Sequence, residues 1–322
     1  MMAYWQPLPG PSPEGFPLAG GPLRFRQALR HARGGPTEVV DASAIPDAVF
    51  ARLTAPRAPI AGVPMDRPSI MGIVNVTPDS FSDGGLHANG PPPDILPDAD
   101  ILDIGGESTR PGATEVPVEE EIARLRPGLR ALANRRFSVD TRKAPVARAA
   151  LDAGAAMVND VSGLTFDPNM AAVVAQSGAA LCIMHSVGTP ENMQDDPRYG
   201  DVLLDVYDAL QARIDAAEKV GISRNRILAD PGIGFGKTEA HNLALLRGLA
   251  LFHGLGTPLL LGVSRKGMIG RIGQAPDPAA RMPGTLALTL HAVSQGVQMH
   301  RVHDVAEVAQ GLRLWRAVTE VR

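Results

Sequence analysis

Eight short apolar runs in this chain each end in residues that could do chemistry. Their ends carry Asn75, Glu107 to Arg110, Asp140, Asn159 with Asp160, His185, Asp230, Arg265 with Lys266, and Arg301 with His303. A single polar run end needs no explanation, because it meets solvent. Eight in succession, mostly Asp, Asn, Lys, Arg and His, are costly to gather unless a ligand or ion satisfies them. The last run is the most specific. In "HRVHDVAEV", Arg301 and His303 alternate on a strand and so share a face. Asp304 is placed to cap a helix, with Glu307 three residues on. Two cationic or donor side chains beside a helix start suit a phosphate or pyrophosphate.

The elements that must position these residues follow from the rhythm of the chain. The apolar runs are Ile70–Val74, Ile101–Ile104, Phe137–Val139, Ala156–Val158, Ala180–Met184, Ile227–Ala229, Leu259–Val263 and Met299–Val302. Helical patterns alternate with them at Glu119–Ala133, Ala144–Ala153, Val202–Val220, Ala240–Leu251, Pro283–Gln295 and Asp304–Val318. Eight strand-and-helix repeats predict an α/β fold, a parallel (β/α)8 TIM barrel over residues 69–322, with a doubly wound open sheet as the alternative. In such a barrel the C-terminal strand ends form the active face. The first crossover contains "PPP" at 91–93, which no helix interior accommodates. Its outer helix is expected to be short or absent. Residues 1–68 are rich in Pro and Gly and are read as a partly irregular N-terminal extension, with short helices expected over Phe25–His31 and Asp47–Leu53.

Composition removes several function classes. The chain has 322 residues, 44% hydrophobic, enough for a large core. A net charge of −3 with no basic run gives no footprint for nucleic acid or a membrane surface. One cysteine, Cys182, excludes an intramolecular disulfide and a CxxC zinc site; it reads as a buried apolar residue. Neither a membrane-length apolar span nor a secretory signal is evident, so a cytoplasmic protein is expected. "GIGFGKT" at 232–238 has Pro231 where a P-loop needs its first Gly, and its glycine spacing misses the dinucleotide pattern. Those glycines instead suit close backbone approach to a flat ligand. His31, His87, His241, His253, His291 and His300 show no metal-ligand spacing and read as structural or surface residues. His185 could touch the site.

The motifs "MGIVNVTPDSFSDGG", "ILDIGGESTRPGA", "SVDT", "NDVSG", "IMHSVGTPENMQ", "DPGIGFGKTEAHN", "GVSRKGMIG" and "RVHDV", taken in order, resemble the dihydropteroate synthase family. The resemblance covers roughly residues 69–318, one motif per barrel strand. It implies condensation of 6-hydroxymethyl-7,8-dihydropterin pyrophosphate with p-aminobenzoate, giving 7,8-dihydropteroate and pyrophosphate. It further implies a pterin pocket of Asp140, Asn159, Met184, Asp230, Phe235 and Lys266, in which Asp and Asn accept from ring N–H groups and Lys donates. A pyrophosphate site would be made by Asn75, Thr109, Arg301 and His303, with Mg2+ bridging Asn75 and the pyrophosphate. Phe81, Thr109, Pro111, Phe235 and Gly267 would hold p-aminobenzoate. Asp79 would stabilise positive charge at the pterin methylene as pyrophosphate leaves, with Lys266 and Arg110 as further catalytic groups.

One departure stands out. The family commonly has Ser where this chain has Gly267, which implies weaker p-aminobenzoate binding than in a Gly267→Ser version. Other readings are a non-catalytic pterin-binding paralogue, a methyltetrahydrofolate methyltransferase-like enzyme, and an aldolase using Lys266 as a Schiff base. The second needs neither a pyrophosphate clamp nor the "TPDSFSDGG" and "GGESTRPGA" loops. The family resemblance implies a homodimer, for which "GTLALTLHAVSQG" could supply an interface.

Overall fold

The computed structural model describes residues 3–10, 14–76, 97–110, 112–189 and 191–319. It opens with four strands, β1 (Ala3–Gly10), β2 (Phe16–Pro17), β3 (Arg24–Ala32) and β4 (Glu38–Asp41), and a helix, α1 (Asp47–Thr54). β1, β2 and β4 all pair antiparallel with β3. The helix expected over Phe25–His31 is therefore corrected to a strand. The error has a physical source. The pairing passes from Pro7 opposite Ala28 to Pro9 opposite Phe25, so β3 carries a bulge. That bulge lets Phe25 and Ala28, three residues apart, both be buried, a spacing that mimics a helix face.

The main body has eight parallel strands: β5 (Ser69–Asn75), β6 (Ile101–Gly105), β7 (Phe137–Asp140), β8 (Met157–Asp160), β9 (Ala180–Met184), β10 (Ile227–Asp230), β11 (Leu260–Leu261) and β12 (Met299–Val302). They pair in sequence from β5 to β10, and β12 pairs with both β5 and β11. A parallel bridge between Ala229 and Leu259 joins β10 to the β11 side, and the ring closes as the predicted TIM barrel. Around it run α2 (Val118–Ala131), α3 (Ala144–Asp152), α4 (Met170–Ser177), α5 (Val202–Lys219), α6 (Glu239–Arg247), α7 (Gly267–Ile272), α8 (Met282–Ser294) and α9 (Val305–Thr319). α4 and α7 were absent from the sequence pattern. The first crossover, 77–96, is outside the described residues.

Strand alternation sorts the residues into two faces. Leu102, Ile104, Val139, Val158, Leu181, Ile183, Ile227, Ala229 and Leu261 face outward and share one core with the helices. The inward residues form layers. Met71, Ile101, Met157, Cys182, Leu228, Leu260 and Met299 make an apolar lower layer, which Ile60, Val63 and Met65 cover from below. Two residues further along the same strands come Ile73, Asp103, Asn159, Met184, Asp230, Gly262 and Arg301. The period of two lifts one layer directly above the other, and chemistry changes between them from hydrocarbon to charge.

The first strands also lock the extension to the barrel. Tyr4 Oη donates to Asp208 at 2.8 Å, and Arg33 pairs with Asp205 and Asp208, both on α5, at 2.6 Å each. Trp5, Phe25 and Leu53 form a separate small core that reaches Trp315 of α9.

Candidate active site

Asp103 is the hub of the upper layer, and it is fully buried. Its Oδ1 accepts from Ser138 Oγ at 2.6 Å. Its Oδ2 accepts from Arg301 Nε at 2.6 Å and from Asn159 Nδ2 at 3.0 Å. One carboxylate thus fixes both a guanidinium and a carboxamide that the resemblance assigns to different parts of a substrate. The sequence reading missed Asp103. The signal was a lone charge inside the apolar run "ILDIG", two residues beyond inward-facing Ile101.

Arg301 reaches on through its second terminal nitrogen to Asp140 Oδ2 at 2.8 Å. Asp140 Oδ1 is buried without a hydrogen-bond partner. A buried acceptor left bare costs free energy that a ligand N–H would recover. Burial pushes the Asp140 carboxyl up to about 7, against the pull of Arg301 and with help from the nearby Asp103 charge. Asp230 is likewise raised by burial, and its Oδ1 accepts from the Gly232 N–H at 2.7 Å.

Lys266 stands across from these acids. Its ammonium donates to the Ile233 carbonyl and sits 4.6 Å from the Phe235 ring centroid. The residue is half-buried, and burial lowers its ammonium to about 8 while Asp230 opposes the shift. The 231–238 loop is seated on the end of β9. A Cβ on Gly232, at φ +68°, would stand 1.9 Å from the His185 carbonyl oxygen, so only glycine fits. Lys237, which the sequence reading passed over, fastens this contact. Its buried amine reaches His185 Nδ1 at 2.9 Å, the His185 carbonyl at 3.2 Å and the Phe235 carbonyl at 2.9 Å. Burial and the Lys237 charge lower His185 to about 2, so it is a neutral imidazole beside buried Met184.

At the eighth strand, His303 lies one residue past β12. Ser264 Oγ accepts from its backbone N–H at 3.1 Å and lies 2.9 Å from Nδ1. If the hydroxyl proton points at Nδ1, Nε2 carries the ring N–H. Burial, Arg301 and Arg265 lower His303 to about 3, and Arg110 adds to that effect, which brings the second loop within electrostatic reach of β12. Asp304 immediately precedes α9, where the cap is expected, and its carbonyl accepts from the Val308 N–H at 3.1 Å, while its carboxylate takes the Arg265 guanidinium, with Nε at 3.0 Å. Arg265 itself has φ +56°, rare for a residue with a Cβ. Thr285 Oγ1 holds its N–H at 3.0 Å and Arg281 its carbonyl at 2.9 Å. The next residue, Lys266, immediately precedes α7, and Gly267 opens that helix at the surface.

The structure therefore gathers Asp140, Asn159, Met184, Asp230, Phe235, Lys266 and Arg301 around one barrel mouth, with Asn75 ending β5. Thr109 is half-buried and Arg110 exposed on the second loop. Asp79, Phe81 and Pro111 lie outside the described residues. Among the described residues no group of three His, Cys, Asp or Glu could hold a metal ion.

The family model of the pterin-binding enzymes matches residues 71–303. A dihydropteroate synthase of Escherichia coli (strain K12) is 43% identical over 270 residues, covering 80% of this chain and 94% of the relative. One from Synechocystis is 45% identical over 263 residues, covering 78% and 91%. Among solved structures, Xanthomonas albilineans dihydropteroate synthase with 4-aminobenzoic acid superposes with TM-score 0.76 at 45% identity, over 83% of this chain and 99% of that one. The same organism's enzyme in complex with 7,8-dihydropteroate gives 0.72 at 40% identity, over 83% and 100%.

Proposed function

We infer the reaction from the family: the chain belongs to the dihydropteroate synthases, among the pterin-binding enzymes, and makes 7,8-dihydropteroate. The amine nitrogen of p-aminobenzoate forms a bond to the pterin methylene carbon. The bond from that carbon to the pyrophosphate oxygen breaks, and the amine gives up a proton. The observation that carries the placement of the substrate is Asp140 Oδ1, a bare buried acceptor in a layer of otherwise partnered polar groups. Asp140, Asn159 and Asp230 take the pterin's N–H and amino donors, and Lys266 donates to its acceptors. Met184 and Phe235 bound its faces. Arg301 and the His303 ring N–H face the pyrophosphate, with Thr109 and Arg110 brought over it by the second loop. Asp79 stabilises the charge that develops on the methylene, and Phe81, Pro111 and Gly267 hold the aminobenzoate.

Magnesium fits this arrangement. Asn75, which ends β5 at the barrel mouth, would supply one carboxamide oxygen. A magnesium ion would complete its shell from pyrophosphate oxygens and water and would neutralise charge on the leaving group. A second copy of the chain would cover Leu314 and Val318, 65% and 85% exposed on α9, which supports a homodimer. No described helix is long and apolar enough to cross a membrane, and the water-soluble substrates favour the cytoplasm. Mass-spectrometric detection of dihydropteroate from the two substrates and magnesium tests the reaction. Pyrophosphate formed without the pteroate product would contradict it.

A further inference from the structure

Four charged side chains are buried together below the second loop, outside the pterin layer: Glu107, Glu121, Arg142 and Lys143, none more than 7% exposed. Two of them, Glu107 and Lys143, meet on one residue of the loop, and Glu121 and Arg142 hold those two. Glu107 Oε1 accepts from the Val116 N–H at 2.9 Å. Lys143 Nζ donates to the Val116 carbonyl at 2.6 Å and reaches Glu107 Oε1 at 3.1 Å and Glu121 Oε2 at 2.7 Å. Both backbone polar groups of Val116 are thus held by charged partners. Arg142 binds both Glu107 oxygens at 3.3 Å, and its guanidinium lies 4.0 Å from the Phe166 ring centroid. Glu107 begins the loop and Val116 ends it. Thr109 and Arg110 project from between them.

Burial alone would raise the Glu107 carboxyl, but Arg142, the Val116 N–H and Lys143 together hold it below its ordinary range. Burying four charges is a poor way to gain stability, since apolar residues of the same size often do as well. It is a good way to fix direction, because each charge must meet its partner in one geometry. The cluster also ties together the segments that follow β6, β7 and β8, through Glu107, Arg142 and Phe166.

We propose that Glu107 is a positioning residue: with Lys143 it closes the base of the 107–116 loop and so sets where Thr109 and Arg110 stand over the pyrophosphate and p-aminobenzoate sites. The proposal rests on the synthase reading for its kinetic consequence only. The test compares wild type, Glu107→Gln, Glu107→Ala and Glu121→Gln. The last removes a charge of the same cluster but leaves both loop ends tied. Three quantities are read: hydrogen exchange of the peptide 106–117, KM for p-aminobenzoate, and Kd for 6-hydroxymethyl-7,8-dihydropterin, which lacks the pyrophosphate that Thr109 and Arg110 face. In Glu107→Ala, exchange in that peptide and KM should each rise at least about tenfold, the scale of one lost charge-assisted hydrogen bond. The pterin Kd should stay within about threefold, and Glu121→Gln should change KM less than Glu107→Gln does. Glu107→Gln keeps an acceptor for Val116 and serves if the alanine variant does not fold. A loosened loop with unchanged KM overturns the proposal, as does KM and pterin Kd rising together. Should wild type form no dihydropteroate, the reaction assignment fails, while the exchange data still decide whether Glu107 clamps the loop.

Discussion

The lower and upper layers of the barrel interior are built from the same strands, two residues apart, yet they hold opposite chemistry. Below, Met71, Ile101, Met157, Leu228 and Met299 pack as hydrocarbon. Above, Asp103, Asn159, Asp230 and Arg301 occupy the next inward positions, joined by Asp140. The apolar layer excludes water beneath the acids, and the acids are raised by burial as a result. A hydrophobic floor and a raised carboxyl are therefore one design: the first sets the dielectric that tunes the second.

Removing the hub should break the upper layer most severely. Asp103→Ala strips Arg301 and Asn159 of their shared acceptor. It should cost about 3 kcal/mol of stability and more than about hundredfold in dihydropterin pyrophosphate affinity. Denaturant unfolding and calorimetric titration read the two effects. Opening the lower layer should have the opposite signature. Leu228→Ala should cost about 2–4 kcal/mol on unfolding but leave the pterin Kd nearly unchanged.

The raised Asp140 carboxyl sharpens the comparison through pH. Its value of about 7 in the ligand-free protein lies above the ordinary ~3.9, so the protonated form is favoured by folding. That contribution is present below about pH 4 and is lost as pH rises through about 7. Pterin N–H groups need the carboxylate. Affinity should therefore be full above pH 7 and fall by about tenfold per unit below it, and titrations of D140N should not show this slope. The smallest effect belongs to the rim. A Cβ on Gly267 would meet only the Arg271 guanidinium, at 3.2 Å, so serine is admitted. Gly267→Ser should tighten p-aminobenzoate binding by about 0.5–1.5 kcal/mol, one hydrogen bond. Equal affinities in the presence of pyrophosphate would dismiss that role.

The sequence exposes this site unevenly, for physical reasons. Strand ends such as Asp140, Asn159 and Asp230 stand where an apolar run stops, and each carries its own motif. Asp103 sits inside its run, where strand propensity conceals a functional charge. Lys237 lies within a glycine-rich stretch that resembles a phosphate loop, and its carbonyl and imidazole partners come from the end of a different strand. Glu107 was visible as a strand-end residue, but its partners come from distant segments that only the barrel brings together. In the N-terminal sheet the bulge in β3 disguises a strand as a helix, and pairing with β1 and β4 overrides the local pattern.

The most direct test is a crystal structure with dihydropterin pyrophosphate bound. A pterin ring nitrogen or amino group should lie about 2.7–3.1 Å from Asp140 Oδ1, with the pyrophosphate toward Arg301 and His303. A pterin bound elsewhere, with Asp140 Oδ1 still bare, would contradict the account.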